Sequence, residues 1–147
     1  MTIYPLSQEE IGAKDITHVV TFDYTDLNTT AGLTKTIEIL PSSVGKIGAE
    51  VSCRGFYVET AFAGTATLTL TVGDGVDPDR YLTAAVADLK TAGPKSVLPT
   101  INTQPYTYTA ADGVDAVFTA TTNNLDQLTV GKVHVFLKVV DLAEVLP

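Results

Sequence analysis

The stretch Thr67-Leu68-Thr69-Leu70-Thr71-Val72 decides the fold class of this chain. Its threonines fall on one side of an extended backbone, and Leu68, Leu70 and Val72 fall on the other. This period of two is what a half-buried β-strand requires. The same alternation recurs from near the first residue to near the last, and it predicts an all-β protein.

Runs with this alternation are separated by turns rich in Gly, Pro and Asn. They lie at Thr17–Thr25, Thr34–Leu40, Ile47–Thr60, Thr65–Gly73, Tyr106–Thr109, Val114–Thr121 and Lys132–Val140. The apolar phase of Ile47–Thr60 changes at Gly55, which predicts a β-bulge, because a bulge lets both apolar sets face one core. Asp112-Gly113 is typical of a hairpin turn, and the alanines of Arg80–Lys90 favour a short helix.

The spacing of these strands is typical of an antiparallel β-sandwich of about eight strands with at most one short helix. An antibody-type immunoglobulin domain would carry a Trp and a pair of Cys. This chain has no Trp and a single Cys, so we expect a jelly-roll-like arrangement. Within the 147 residues we expect an N-terminal arm at 1–15, a β-sandwich domain at 16–141 and a C-terminal tail at 142–147.

Composition excludes several classes of partner. The net charge is −8, and the nine Lys and Arg residues are scattered, whereas nucleic-acid binding needs clustered basic residues. No apolar run approaches the ~18 residues that span a bilayer, and we see no signal peptide at the start. We therefore expect no nucleic-acid partner and no membrane partner. The single cysteine, Cys53, excludes an intramolecular disulfide, and we expect it to be a small buried apolar residue.

Motifs of catalytic chemistry are missing from the sequence. It has no Gly-x-Ser-x-Gly elbow, no His-Glu-x-x-His pair and no phosphate-binding glycine loop. His18 and His134 lie on different predicted strands, where ordinary packing explains them. We therefore expect that the protein is not an enzyme and that it uses no cofactor, apart from the calcium considered next.

The acidic loop that begins at Asp74 is the best candidate for metal chemistry. Asp74, Asp77 and Asp79 lie within six residues and offer the hard oxygen ligands that Ca²⁺ prefers. Their spacing departs from that of an EF-hand loop. The alternative is a solvated turn whose carboxylates accept backbone N–H groups, with Asp77 or Asp79 paired to Arg80.

Apolar residues near both ends and several tyrosines are candidates for protein contacts. Exposed apolar ends would be a liability, and tyrosine is enriched at interfaces. We expect contacts, within the domain or with a neighbouring subunit, at Ile3, Tyr4, Leu6, Tyr106, Tyr108, Val145 and Leu146. The threonine side of Thr65–Thr71 is explained by the preference of β-branched residues for strands, because ice binding would need many such rows.

Six segments together form a pattern that covers most of Thr17–Val140. They are Phe22–Leu27, Thr36–Pro41, Thr60–Gly64, Leu68–Asp74, Asp77–Leu82 and Leu128–Val135. Together they resemble small β-rich virion proteins of tailed bacteriophages, of the capsid decoration type. The stretch Leu40-Pro41-Ser42-Ser43 departs from the family pattern, in which a turn of small residues with glycine is expected.

The resemblance implies a non-enzymatic decoration, or cement, protein that binds the assembled shell in many copies. Its implied partners are the major capsid protein and further copies of itself, as a dimer or trimer. The implied location is the capsid surface of the virion, after synthesis in the host cytoplasm. Two alternatives remain open: another virion component, such as a head–tail, fibre-base or tail accessory protein, and a glycan-binding or calcium-binding β-sandwich module.

Overall fold

The structure is a computed structural model, and it describes residues 1–5, 15–84, 88–96 and 104–145. Nine strands are present in this part of the chain: β1 (Thr2–Pro5), β2 (His18–Asp23), β3 (Thr34–Leu40), β4 (Ala49–Ala63), β5 (Thr67–Asp74), β6 (Gly93–Ser96), β7 (Tyr106–Thr107), β8 (Val114–Thr121) and β9 (Val130–Asp141). Three 3-10 helices of three or four residues lie at Tyr24–Asp26, Leu125–Gln127 and Leu142–Val145. The predicted all-β class is confirmed. None of the helices in the described ranges is long and apolar enough to cross a membrane.

The strands form two antiparallel sheets that pack as a sandwich. The larger sheet has the order β1-β2-β9-β4-β6, with β7 also paired to β4, and the smaller sheet has the order β3-β8-β5. The pairs are nested: β2 pairs with β9, β3 with β8, and β4 with β6 and β7. From β2 to β6, and again from β7 to β9, successive strands alternate between the two sheets, as in a long hairpin folded into two layers. This is the jelly-roll arrangement that the sequence predicts.

We expected a short helix within Arg80–Lys90, and the described parts at both ends of this segment lie along the edge of β5. Leu82 forms a bridge with Val72, and Asp88 forms one with Thr69. Leu82 and Leu89 are buried, and they anchor the two described parts of this segment to the core. Residues 85–87 lie outside the described residues.

The predicted hairpin at Asp112-Gly113 is wrong. The strand before it, β7, belongs to the larger sheet, and the strand after it, β8, belongs to the smaller one. Asp112 bonds to other loops: its backbone N–H donates to the carbonyl of Gly45 at 2.9 Å, and its carboxylate accepts from the N–H of Gly75 at 3.0 Å. These long-range partners, which a local turn signal does not contain, turn the chain from one sheet to the other.

The predicted bulge at Gly55 is confirmed. The register between β4 and β9 shifts between Cys53 and Gly55, where Gly55 has a φ of 148°. Cys53 before the shift and Phe56 after it are both buried, so both apolar phases of β4 reach the same core. Ile47 is an exception, because it precedes β4 and its side chain is 64% exposed.

The core fills the space between the sheets with the inward residues of both. Phe22 of β2 meets Phe118 of β8 edge to face at 4.9 Å between ring centroids. Val133, Val135 and Leu137 of β9 are fully buried, as the alternation in the last strand predicts. Full burial of such a side chain contributes about 1.5–3 kcal/mol.

The turn between β4 and β5 depends on Gly64. Its φ is 119°, a region that side-chain-bearing residues rarely adopt. A Cβ placed there would lie 2.0 Å from the carbonyl oxygen of Gln127, in the 3-10 helix before β9. The turn therefore needs glycine for its backbone angle and also for the space that a neighbouring backbone occupies.

Gly64→Ala is expected to cost much more stability than Gly93→Ala. Gly93 has a similar φ of 128°, but nothing lies within 4 Å of its Cβ position. Gly93→Ala should cost about 1–3 kcal/mol from backbone strain alone, and Gly64→Ala about 1–3 kcal/mol more from the steric overlap. Urea unfolding of both variants measures the difference, and equal losses would contradict the close approach.

Candidate functional site

A buried carboxylate, Asp74, organises the loops at one end of the sandwich. It lies at the end of β5 and is 2% exposed. Its Oδ2 accepts from Arg80 Nε at 2.7 Å and from the Tyr108 hydroxyl at 3.0 Å. Its Oδ1 accepts from the backbone N–H groups of Val76 at 3.0 Å and Asp77 at 2.8 Å. Four donors from two loops therefore converge on one side chain.

These donors keep Asp74 ionised. Burial by itself would raise the pKa of this carboxyl, but the Arg80 guanidinium, the Asp77 N–H and the Tyr108 hydroxyl together hold the pKa below its usual value. The ion pair with Arg80 is buried on both sides, because the side chains are 1% and 11% exposed. A buried charge is tolerated only with such a complete set of partners.

Three tyrosines extend this network into the core. The Tyr81 hydroxyl donates to the Tyr108 hydroxyl at 2.7 Å, and Tyr108 in turn donates to Asp74. The guanidinium carbon of Arg80 lies 3.7 Å from the centroid of the Tyr106 ring, a cation–π contact. Burial raises the pKa of both Tyr81 and Tyr108, so both hydroxyls stay protonated and available as donors.

A cavity of about 220 Å³ opens beside this network. Its lining comes from the acidic loop and the connection between β7 and β8, namely Asp74, Val76, Arg80, Tyr106, Tyr108, Thr109, Ala110, Ala111 and Asp112. Small-molecule sites usually measure about 300–1,000 Å³. The polar groups of Asp74 and Tyr108 bond to one another, so the arrangement mainly holds the two loops together.

The three carboxylates predicted to bind Ca²⁺ have different surroundings in the structure. Asp74 is neutralised by Arg80, and the negative charge of Asp77 also acts on that guanidinium. Asp79 lies beside Asp77, whose side chain raises the pKa of the Asp79 carboxyl. Among the described residues, no three His, Cys, Asp or Glu side chains are grouped so as to hold a metal ion. Calcium binding by this loop stays a prediction, and Asp74 brings no spare oxygen to it.

The residues predicted to form contacts are spread over the molecule. Tyr108 is only 3% exposed and offers almost no surface to a partner, because its hydroxyl belongs to the Asp74 network. Tyr106 is partly buried beneath Arg80. Ile3 is 37% exposed and pairs with Val20 at the edge of the larger sheet.

The remaining contact candidates lie near the two ends of the chain. Tyr4 belongs to β1 and pairs with Val19, and Val145 ends the last 3-10 helix. Leu6 and Leu146 lie outside the described residues.

His134 stands in a polar cluster on the outer face of the larger sheet. Its Nε2 lies 2.5 Å from Glu59 Oε2, its Nδ1 lies 2.8 Å from Thr21 Oγ1, and its ring stacks on Tyr57 at 6.1 Å. The hydrogen bond from His134 lowers the pKa of Glu59. The sequence shows these residues at outward strand positions, but their proximity depends on the β2·β9·β4 register.

Threonines from three strands cover the outer face of the smaller sheet. Cross-strand rows join Thr34, Thr119 and Thr69, then Thr36, Val117 and Thr71, and finally Thr121 and Thr67. We call this surface the threonine face. Its hydroxyls also bond across strands, since Thr67 Oγ1 and Thr121 Oγ1 are 2.6 Å apart. The sequence shows one row in β5, and only the register reveals the rows beside it.

The threonine face ends in an acidic row. Glu38 of β3 lies directly opposite Asp115 of β8, and Asp115 lies opposite Gly73 of β5. A Cβ on Gly73 would meet the carbonyl oxygen of Asp77 at 2.2 Å, so the acidic loop passes over this end. Burial raises the pKa of Asp115, and the nearby negative charge of Glu38 raises it further.

Cys53 is confirmed as a buried apolar residue. It is fully buried, and burial raises the pKa of its thiol to about 12. Its backbone N–H donates to the side-chain oxygen of Gln104 at 2.6 Å, and the Gln104 amide donates to the carbonyl of Tyr81 at 3.1 Å. These two bonds join Gln104, which precedes β7, to β4 on one side and to Tyr81 on the other.

The Cys53 thiol is expected to be inert in the native protein. Thiolate is the reactive form, and a pKa of about 12 leaves almost none of it at pH 8. Labelling with a disulfide reagent should be slow in buffer and complete in unfolding concentrations of urea. Rapid stoichiometric labelling of the folded protein would contradict this placement.

Asp74→Asn is expected to lower the free energy of unfolding by about 3–5 kcal/mol at pH 7, because it removes one charge of a buried ion pair. The matched control is Asp79→Asn, which removes a carboxylate whose pKa is raised by Asp77 and should stay within about 0.5 kcal/mol of wild type. Denaturant unfolding at several pH values measures both.

The pH dependence of stability has a defined sign at Asp74. Its folded pKa is lowered, so its contribution is present above the unfolded value of about 3.9 and is lost as pH falls further. Wild type should therefore lose stability below about pH 4 more steeply than Asp74→Asn does. Parallel curves for the two proteins would show that Asp74 does not carry this charge interaction.

Comparison with known proteins gives one structural likeness. The chain matches no family model and no curated protein. A chain in the solved structure "Cyanophage Pam1 capsid asymmetric unit" is similar to it at 23% sequence identity and a TM-score of 0.46. The match covers 81% of this chain and 77% of that one.

Proposed function

We propose that this chain is a bacteriophage capsid decoration, or cement, protein that binds the assembled shell and stabilises it without catalysis. The observation that carries the proposal is that the segments resembling small virion proteins are those that build the jelly roll. Thr36–Pro41 contains most of β3, Leu68–Asp74 is nearly all of β5, and Leu128–Val135 leads into β9. The resemblance therefore concerns the framework of the fold.

The turns within the resembling segments are also built by specific contacts. Asp23 accepts from the N–H of Thr25, and the Asp26 carboxylate accepts from the N–H of Asp23, which closes a capping box after β2. The segment Asp77–Leu82 contains Arg80, which pairs with Asp74. The residues of these turns therefore have defined structural roles, whereas Thr, Val and Ile are favoured in any strand.

The proposed activity follows from mass action. A protein that binds assembled shells but not free subunits stabilises the assembled state by RT ln(1 + [L]/Kd), about 2.7 kcal/mol per site at a hundredfold excess over Kd. The partner is then the major capsid protein, and a dimer or trimer of this chain would gain further affinity by binding several sites at once. We place the protein on the capsid surface of the virion.

The test is to add the purified protein to shells assembled from the major capsid protein of the same phage. We expect saturable binding at a simple ratio to the capsid lattice and a higher temperature of shell disruption. Quantitative mass spectrometry of virions should give the same ratio. A few copies per particle would instead indicate a head–tail, fibre-base or tail accessory protein. No binding together with absence from virions would refute a virion role and favour the glycan-binding or calcium-binding module.

A further inference from the structure

We propose that the threonine face is the surface that docks on the capsid shell, and that the shell presents to it an uncharged patch bordered by Arg or Lys side chains. These basic side chains would pair with Glu38 and Asp115. This inference rests on the proposed function and adds to it a contact surface and the chemistry of the partner.

The centre of the threonine face carries no charge, as the core of an interface does. Its rows contain seven threonines and Val117 and no charged residue, although the whole chain carries −8. Depletion of charge distinguishes the core of a protein interface from the rest of a surface. The β-branched side chains stand on three paired strands, so a partner meets methyl and hydroxyl groups that are already ordered and loses little conformational entropy on binding.

The size of the face suits one contact of a repeated array. Three strands spaced about 4.8 Å apart and eight residues long, at about 3.3 Å per residue, cover roughly 400 Å² in projection. A standard interface buries about 800 Å² per partner. Such a contact is weak alone and becomes strong when an oligomer engages several equivalent sites on a shell.

The acidic row indicates the charge of the partner. Like charges directly opposite in a sheet are unfavourable, yet Glu38 and Asp115 are such a pair. Neither takes part in any ion pair among the described residues. A cation from the partner would relieve this repulsion. A second copy of this acidic chain would bring more negative charge, so a basic shell surface fits better.

The free edge of β3 is a poorer docking element than the face. Lys35 pairs with the buried Phe118 and therefore points to the core side, where its Nζ donates to the carbonyl of Asp26. An inward-pointing charged residue is a device that discourages strand addition at an edge. The contact is therefore expected to use the side chains of the sheet face and not the backbone of β3.

Two variants of the face and one control test the inference by binding to shells assembled from the major capsid protein. Glu38→Gln with Asp115→Asn removes the acidic row, and Thr119→Tyr interrupts the central row. Glu50→Gln with Glu59→Gln removes the same charge from β4 in the other sheet. We expect at least tenfold weaker binding for the two face variants and unchanged binding for the control.

Folding is measured separately from binding. Removing the opposed carboxylates should keep or raise the unfolding temperature, because the pKa of Asp115 is raised in the folded protein. A variant that is as stable as wild type but binds poorly would therefore show that the changed side chains contact the shell. Added NaCl should weaken wild-type binding more than that of the charge variant, because salt screens the ion pairs.

The outcomes distinguish the inference from the function on which it rests. If wild type does not bind shells, the proposed function fails and this inference fails with it. If wild type binds and the face variants bind equally well, the function stands and the threonine face is not the contact. A face variant that loses its oligomeric state in sedimentation but still binds shells would assign the face to contacts between copies, which also overturns the inference.

Discussion

The long pairing between β4 and β9 is the interaction on which the rest of the structure depends. It runs from Ala49 opposite Asp141 to Ala63 opposite Val130 in the middle of the larger sheet. It also places β2 on one side of the pair and β6 and β7 on the other. Because it joins residues far apart in the chain, its loop-closure entropy must be offset by burial of both strands. The bulge at Gly55 makes this burial possible, because it lets apolar side chains from both halves of β4 face one core.

The Asp74 network holds together the loops at one end of the sandwich. β5 ends in a carboxylate that points inward, and an unpaired buried charge would be very costly. Arg80 and Tyr108 come from two different connections and satisfy it together. The same contacts hold the connection between β7 and β8 beside the acidic loop. The acidic sequence suggests metal binding, but at Asp74 the carboxylate forms a structural ion pair with Arg80.

The outer surfaces of the two sheets have different characters. The larger sheet carries the polar cluster of His134, Glu59 and Thr21. The smaller sheet carries threonines and ends in the opposed pair Glu38 and Asp115. Carboxylates directly opposite one another in a sheet repel, and stabilising changes often reduce function. The proposed docking surface and the predicted stability gain on removing its charges follow from this one feature.

The sequence by itself determined the class of fold and much of the strand pattern. The alternation in Thr34–Leu40 predicts β3 with the bounds that the structure has, and the phase change at Gly55 predicts the bulge. These features are local, because the period of two and the conformational freedom of glycine act over a few residues. The burial of Cys53 was predicted for the same reason.

Only the tertiary structure decided which strands pair and what their side chains meet. Asp112-Gly113 has a hairpin signal but joins two different sheets, and the alanine-rich Arg80–Lys90 contains bridges to β5. The ion pair of Asp74 with Arg80 and the threonine rows were likewise invisible in the sequence. Each of these features depends on residues that are distant in the chain. Local propensity cannot predict such contacts, because they are set by strand register and burial in the assembled sheets.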